Sequence, residues 1–182
     1  MVESSLLTKI RERSARKMDR YPELFSEISS KSVDKKSILS YGCGFGEELI
    51  TLEKYFKLSD ITGVDISEKA RFSCADKISG YKNIFIKSVD DLLLEGKKFD
   101  IVFALNVFKR LRSEYSFQEY SSNLSDVSEF VKSGGLFVLD GIQYDFENTD
   151  LFKNEFTIFN MDCDSSTNKS RHSYNHYVFR KK

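Results

Sequence analysis

The sequence SILSYGCGFGEE occupies residues 37–48 and changes there from an apolar run to three glycines at alternate positions. An amphipathic segment follows over residues 49–58. This order predicts a strand, a tight turn and a helix. Since glycine carries no side chain, the turn offers a backbone bare enough for a ligand to lie against it.

A second apolar run, ITGVDIS at residues 61–67, ends in an acid, Asp65. A carboxylate at the end of such a strand accepts the hydroxyl protons of a ribose in nucleotide-binding α/β folds. The glycine turn and Asp65 together predict a cofactor that contains a nucleoside.

The spacing of the glycines bears on which cofactor this is. A dinucleotide fingerprint reads G-x-G-x-x-G, whereas this turn reads G-x-G-x-G and is followed by Glu47 and Glu48. Two carboxylates in the first helical turn would repel a pyrophosphate. They suit a cationic ligand such as the amino group and sulfonium of S-adenosyl-L-methionine.

Three motifs in one register resemble the class I S-adenosylmethionine-dependent methyltransferases. The turn is similar to the family's first motif, commonly V-L-D-x-G-C-G-x-G. The segment KFDIVFA at residues 98–104 is similar to its F-D-x-V fourth strand. The segment FVKSGGL at residues 130–136 is similar to its L-K-P-G-G turn before the fifth strand, with Ser133 in place of proline.

This resemblance spans residues 37–140 and implies an α/β fold, the three-layer Rossmann-like methyltransferase fold. Its sheet has seven mostly parallel strands in the order 3-2-1-4-5-7-6, with an antiparallel C-terminal hairpin. The implied cofactor is S-adenosyl-L-methionine, and the implied activity is methyl transfer, a transferase of EC 2.1.1 type.

The alternating pattern of the chain predicts the individual elements. Predicted strands cover residues 37–41, 60–65, 83–87, 99–105, 136–140, 155–160 and 174–180. Predicted helices cover residues 5–21, 23–29, 47–58, 67–79 and 117–132, the last ending at a pair of glycines. We expect a single methyltransferase domain over residues 1–182. Within it we expect a helical lid region at residues 1–30, a cofactor-binding core at 37–140 and a hairpin at 155–180.

Composition excludes several classes of protein. The 182 residues carry 28 basic and 28 acidic side chains, which argues against a strongly basic nucleic-acid platform. The three cysteines lack metal-type spacing, so we expect reduced thiols, a cytoplasmic location and no metal site. No apolar run is long enough to span a membrane, and we expect a soluble protein.

The resemblance assigns cofactor contacts to the turn and to the strand ends, although the acid common two residues before the first glycine is Ser40 here. By likeness to a variant of the motif, Glu47 or Glu48 would hold the methionyl amino group, and we favour Glu48. The alternative is that both acids only stabilise the helix N-terminus. The expected cofactor-binding residues in this part of the chain are Tyr41, Gly42, Cys43, Gly44, Gly46, Glu48, Asp65 and Ile66.

The adenine pocket is expected after the third strand, at Ser88, Val89 and Asp90, with Leu105 lining the cofactor from the fourth strand. Asp91 has two interpretations. It either lies at the adenine edge with its neighbours, or it caps a short helix that begins at Leu92.

Candidate catalytic residues lie near the carboxyl ends of the fourth and fifth strands, where open α/β sheets bind ligands. They are Asn106, Asp140 and Tyr144. Lys109, Arg110 and Arg112 would either receive an anionic acceptor or form a solvated helix face. His172 and His176 are expected at the surface or in strand packing. Tyr21 would either cover the methionine end of the cofactor or pack in the core.

We therefore expect methyl transfer to a small-molecule or sugar acceptor, at oxygen, by a monomer or homodimer with no nucleic-acid or membrane partner. One alternative is an RNA or protein methyltransferase. The other is a cofactor-binding pseudoenzyme or partner subunit, which the loss of the acid at Ser40 favours.

Overall fold

The structure is a computed structural model and describes residues 18–31, 36–108, 116–141, 144–159 and 177–182. Its helices are α1 (Pro22–Ser30), α2 (Glu47–Tyr55), α3 (Glu68–Ile78), α4 (Val89–Glu95), α5 (Phe117–Ser128) and α6 (Asp150–Glu155). A short 3-10 helix, Phe146–Asn148, precedes α6. The strands are β1 (Ser37–Tyr41), β2 (Asp60–Val64), β3 (Ile84–Lys87), β4 (Phe99–Leu105), β5 (Val131–Asp140), β6 (Phe156–Ile158) and β7 (Tyr177–Lys181).

The strands form a single seven-stranded sheet in the order β3-β2-β1-β4-β5-β7-β6. The five strands β1 to β5 pair in parallel, and β7 pairs antiparallel with both β5 and β6. This is the fold and strand order that the resemblance implied, so that prediction is confirmed.

Alternation along the strands divides the core into two layers. Ile38 of β1 and Phe103 of β4 belong to a cluster that includes buried residues of α1, α2 and α3. Leu39 of β1 and Val102 of β4 belong to a second cluster, which includes buried residues of α4 and α5. The sheet is therefore covered on both faces, as expected of parallel strands joined by helices.

Several element boundaries differ from the prediction. The helix predicted to reach residue 132 ends at Ser128, and β5 begins at Val131, because Phe99 already pairs with Val131 at the base of the sheet. Glu155 belongs to α6, which the sequence pattern did not reveal, and β6 begins one residue later. The helix predicted over residues 5–21 does not include residues 18–21, which are irregular. Its earlier part lies outside the described residues.

None of the described helices is both long enough and apolar enough to cross a bilayer.

Candidate active site

The glycine turn follows β1 in the chain and is hydrogen-bonded to the carboxyl end of the neighbouring strand, β2. The backbone N–H groups of Gly42 and Cys43 both donate to the carbonyl of Val64, at 2.8 and 3.0 Å. Gly42 has φ of +76°, and a Cβ there would lie 2.7 Å from Cγ2 of Val107. No other residue fits this turn without strain or displacement. Gly42 is exposed, so its bare backbone is accessible to a ligand.

Asp65 connects this turn to the start of α3. Its Oδ2 accepts from the N–H of Gly44, and its Oδ1 accepts from the N–H of Ser67, both at 2.9 Å. Each carboxylate oxygen can accept a second hydrogen bond, so Asp65 keeps acceptor capacity for ribose hydroxyls. Ser67 is the N-cap of α3, as predicted, and its hydroxyl accepts from the N–H of Ala70.

Arg71 supports the same strand end and was missed by the sequence analysis. Its guanidinium donates to the carbonyls of Asp65 and Ile66, at 2.7 and 3.0 Å. These bonds fix the backbone on both sides of the predicted ribose-binding position. Its position in the second turn of the helix after Asp65 is the only signal in the sequence that points to it.

Ser40 and Glu48 form a hydrogen-bonded pair beneath the turn. The fully buried Ser40 donates its hydroxyl to Oε1 of Glu48 at 2.7 Å. Burial raises the pKa of the Glu48 carboxyl to about 7, although the Ser40 hydroxyl and the charge of Arg20 both act to lower it. Glu48 therefore places an ionisable carboxyl beside the position where the family motif carries its acid.

The end of β3 leads directly into α4. Ser88, rather than Asp91, is the N-cap: its hydroxyl accepts from the N–H of Asp91 at 3.1 Å and donates to the Asp91 carboxylate at 2.6 Å. The interpretation in which Asp91 caps a helix beginning at Leu92 is therefore wrong, because Ser88 caps the helix and the helix begins at Val89. Val89 packs against the core, and Asp90 is exposed.

Asn106 and Asp140 meet at the carboxyl ends of β4 and β5. The N–H of Asn106 donates to the carbonyl of Asp140 at 2.9 Å, and its side-chain amide donates to Oδ2 of Asp140 at 3.2 Å. Asn106 adopts φ of +59°, a left-handed conformation that asparagine tolerates better than most residues. The structure thus brings together two of the three predicted catalytic residues.

Tyr21 completes this cluster. Its hydroxyl donates to Oδ2 of Asp140 at 2.6 Å and also accepts from the side-chain amide of Asn106. Burial and the Asp140 carboxylate raise the pKa of the Tyr21 phenol well above its usual range, so the phenol remains a hydrogen-bond donor. Within the described residues, no hydrogen bond reaches Oδ1 of Asp140. That oxygen therefore keeps its acceptor capacity, although Asp140 as a whole is only 8% exposed.

The segment before α1 is anchored on α2. The N–H of Asp19 donates to the hydroxyl of Thr51 at 3.1 Å, and Tyr55 donates to the Asp19 carboxylate at 3.1 Å. The Arg20 guanidinium lies over the Tyr21 ring at 5.3 Å. No sequence pattern pointed to Asp19 or Arg20. Pro22 was a usable signal, since proline favours the first helical position and so places these residues before the helix.

Four other predicted site residues belong to the two core clusters or pack against them. Tyr144 packs its ring on α5, with ring centroids 5.4 Å from both Phe117 and Tyr120, and its catalytic role stays a prediction. Tyr41, Cys43 and Leu105 are buried. Burial, reinforced by the charges of Asp126 and Asp65, raises the pKa of the Tyr41 phenol to about 12.

Several predictions fall outside the described residues: those for Lys109, Arg110, Arg112, His172 and His176. Within the described residues, no group of three or more His, Cys, Asp or Glu side chains could hold a metal ion.

Comparison with known proteins assigns the family. A family model described as a methyltransferase domain matches residues 39–137, more than half of the chain. The protein belongs to this methyltransferase family, and its sheet has the class I topology. The expected cofactor, S-adenosyl-L-methionine, is thereby confirmed. The bare glycine turn, the spare acceptor capacity of Asp65 and the carboxyl of Glu48 fit its ribose and its cationic end.

Solved structures support the fold. The PH0226 protein from Pyrococcus horikoshii OT3 is 17% identical, with 85% of this chain and 86% of that chain covered and a TM-score of 0.62. WbdD is 14% identical over 87% of this chain and 39% of its own, with a TM-score of 0.57. Coclaurine N-methyltransferase, bound to N-methylheliamine and SAH, is 17% identical, with 68% of this chain and 38% of that chain covered and a TM-score of 0.51.

The chain is much shorter than several of these proteins. It spans 21% of PKMT2 from Rickettsia typhi, with 23% identity over 58% of this chain and a TM-score of 0.48. No curated protein sequence matches the chain.

Proposed function

We propose that this methyltransferase transfers the methyl group to an oxygen atom of a small-molecule or sugar acceptor. The observation that carries the proposal is the cluster of Tyr21, Asn106 and Asp140 at the carboxyl ends of β4 and β5. Ligands of open α/β sheets bind at this edge. Asp140 offers an unused carboxylate oxygen there, where a hydroxyl group can donate to it.

The cofactor would bind along the ends of β1, β2 and β3. Asp65 would accept the ribose hydroxyls, Glu48 would face the methionyl amino group, and the chain from Ser88 to Asp90 would border the adenine. When bound, S-adenosyl-L-methionine supplies an electrophilic methyl group on a sulfonium centre. The protein needs chiefly to position the acceptor and to exclude water.

The Ser40–Glu48 pair argues against the pseudoenzyme alternative. The loss of an acid at Ser40 suggested weakened cofactor binding, but Glu48 supplies a carboxyl at hydrogen-bonding distance from the same position. A carboxyl presented from the first turn of α2 can therefore replace one presented from β1.

Asp140 is suited to act on the acceptor. Within the described residues, both hydrogen bonds to its carboxylate reach Oδ2, one from the Tyr21 phenol and one from the Asn106 amide. They hold the carboxylate in one orientation and leave Oδ1 to accept the proton of an acceptor hydroxyl. Because the pKa of Tyr21 is raised, the phenol keeps its proton and does not compete for this role.

Two other acceptor classes belong in the test. Coclaurine N-methyltransferase shares the fold and is named for methylation at nitrogen, so amines are included in the screen. Basic residues that would favour an RNA or protein acceptor occur at Lys109–Arg112, outside the described residues, and at Arg180–Lys182. The latter lie at the base of β5, since Arg180 pairs with Leu136, and not at the edge that carries Asp140.

The test has two stages. Calorimetric titration with S-adenosylmethionine and S-adenosylhomocysteine, with NAD as control, first measures cofactor binding. Cofactor with a labelled methyl group is then incubated with pools of hydroxylated metabolites, sugars, amines, RNA and protein. We expect label on a hydroxylated small molecule. Label on RNA, protein or amines alone contradicts the proposed acceptor, and absence of cofactor binding contradicts the enzymatic proposal.

An Asp140 variant connects the product to the site. We expect Asp140→Asn to bind S-adenosylhomocysteine normally while losing methyl transfer, because an amide cannot take up the acceptor proton. Asp145→Asn is the matched control, since Asp145 is an exposed acid five residues further along the chain. Full transfer by the Asp140→Asn variant would remove Asp140 from the mechanism.

A further inference from the structure

A second concave site lies on the opposite edge of the sheet from the glycine turn. A cavity of about 240 Å³ opens near the amino ends of β1 and β4, between the end of α1 and the hairpin formed by β6 and β7. The five residues of β1 separate the two edges, a span of about 15 Å. A ligand in this cavity would therefore not overlap the predicted cofactor site.

The wall of this cavity carries more positive than negative charge. Three cations line it, Lys31, Lys36 and Arg180, against one carboxylate, that of Asp100. Counting three positive charges and one negative charge leaves a net charge of two positive units. Within the described residues, no carboxylate lies within ion-pair distance of Lys36 or Arg180.

The single acid of the wall is already engaged. Oδ2 of Asp100 accepts from the N–H and the hydroxyl of Ser37, at 2.8 and 2.7 Å. Oδ1 of Asp100 pairs with Lys132 at 3.1 Å. Asp100 is thus bound to groups at the start of β1 and in β5, and it is not a counterion of Lys36 or Arg180.

One cation is held in place by an aromatic ring. The guanidinium of Arg180 lies 4.7 Å from the centroid of Phe159, and Lys31 lies 5.9 Å from the same ring. Lys31 also pairs with Glu27 at 3.3 Å. A guanidinium stacked on a ring loses less freedom when it binds a ligand, because its plane is already fixed.

The backbone on the β5 side leaves space for a ligand. Ser133, Gly134 and Gly135 line the cavity, and a Cβ built on Gly134 would meet no atom within 4 Å. A small polar group can therefore approach the main chain at Gly134 without displacing a side chain.

We propose that this cavity binds the phosphate group of a small ligand, either free phosphate or a phosphate monoester. A phosphate dianion matches the net charge of the wall, and arginine binds phosphate oxygens in a bidentate manner. Lysine adds a compact charge from the other side. The proposal does not depend on the identity of the methyl acceptor, because the site lies at the other edge of the sheet.

The experiment is a titration of the full chain with orthophosphate, glucose 6-phosphate and glucose at constant ionic strength. Binding is followed by calorimetry and by the amide NMR signals of Ser133, Gly134 and Gly135. We expect both phosphates to bind and glucose not to bind. Tighter binding of the ester would identify a phosphorylated metabolite, and equal binding would identify free phosphate.

Variants decide whether the binding belongs to this cavity. We expect Arg180→Gln and Lys36→Gln each to weaken phosphate binding about fivefold or more. Arg180→Lys keeps the charge and should show an intermediate loss, whereas Lys82→Gln, an exposed lysine beside β3, should bind normally. The proposal fails if no phosphate binds up to about 10 mM, or if the folded double variant at Lys36 and Arg180 binds as well as the wild type.

Discussion

The hydroxyl of Ser40, a fully buried residue of β1, donates a hydrogen bond of 2.7 Å to Oε1 of Glu48 in the first turn of α2. This bond brings the carboxyl of Glu48 to Ser40, which occupies the place of the acid in the family's common first motif. Burial raises the pKa of the Glu48 carboxyl to about 7, although the hydrogen bond from Ser40 acts to lower it. Two measurable pH dependences follow from it.

The first concerns cofactor affinity. If Glu48 faces the methionyl amino group, S-adenosylhomocysteine should bind several-fold more tightly near about pH 7.5 than near about pH 6, because only the ionised carboxylate attracts the ammonium group. Glu48→Gln should weaken binding about tenfold at the higher pH and much less at the lower. Glu53→Gln, on the same helix, is the control. A pH-independent affinity ratio between wild type and Glu48→Gln would contradict this role.

The second concerns stability. The folded state holds the Glu48 proton up to about pH 7, whereas the unfolded chain releases it near pH 4.5. Between these values the folded state binds more protons, so the free energy of unfolding should fall as the pH rises. Relative to Glu48→Gln, the wild type should lose about 1–3 kcal/mol across this window. Urea denaturation of both proteins at several pH values measures the difference, and a flat difference would refute the raised pKa.

Asp65 is predicted to be essential for cofactor binding. We expect Asp65→Ala to weaken S-adenosylhomocysteine binding at least about tenfold, because it removes the acceptor for the ribose and releases the N–H groups of Gly44 and Ser67. Calorimetry measures the affinity, and circular dichroism checks the fold. Asp76→Asn, an exposed acid on α3, should bind normally. Unchanged affinity in a folded Asp65→Ala variant would show that the ribose lies elsewhere.

Gly42 tests the turn itself. Gly42→Ala should destabilise the protein by about 1–3 kcal/mol, since φ is +76° and the new Cβ would lie 2.7 Å from Val107. Gly80→Ala is the matched control, because a Cβ there meets no atom within 4 Å. Combining Gly42→Ala with Val107→Ala should recover only the steric part of the loss. Thermal unfolding of the four proteins separates the two causes, and equal stability of Gly42→Ala and the wild type would exclude both.

Tyr21 tests the cluster at the proposed acceptor site. Tyr21→Phe removes the donor at 2.6 Å from Asp140 and should destabilise the protein by about 1–3 kcal/mol, because a buried carboxylate loses a hydrogen bond. Tyr81→Phe, at an exposed tyrosine, should be neutral. Once an acceptor is known, Tyr21→Phe should lower kcat without changing cofactor affinity. A variant as stable as the wild type would mean that Asp140 is held by other groups.

The sequence was informative where a residue type has one dominant structural use. The glycine turn, the acid at the end of β2 and the apolar runs of β1 and β4 were predictable, because each is a local signal. The order of the strands in the sheet came from the resemblance to the methyltransferase family. Ser67 as a helix cap is confirmed for the same reason. The cluster of Asn106 and Asp140 was predictable from topology, since neighbouring parallel strands end at one edge.

Other features depend on contacts that no local pattern encodes. Ser88 and Asp91 are both good cap residues, and only the backbone distinguishes which of them caps α4. The start of β5 at Val131 is determined by pairing with Phe99, not by propensity. Tyr21 looked like a packing residue or a lid. The structure gives its ring a packing contact with Phe25 and its hydroxyl a partner far along the chain.

The bond between Tyr21 and Asp140 spans 119 positions of the chain. Contacts of such long range form after local helices and hairpins, because closing a large loop costs entropy before the contact can stabilise anything. During synthesis, a nascent chain that has not yet reached β5 would contain the whole glycine turn and Asp65 but no acceptor site. The proposed acceptor site can therefore assemble only in a chain whose synthesis has already passed β5.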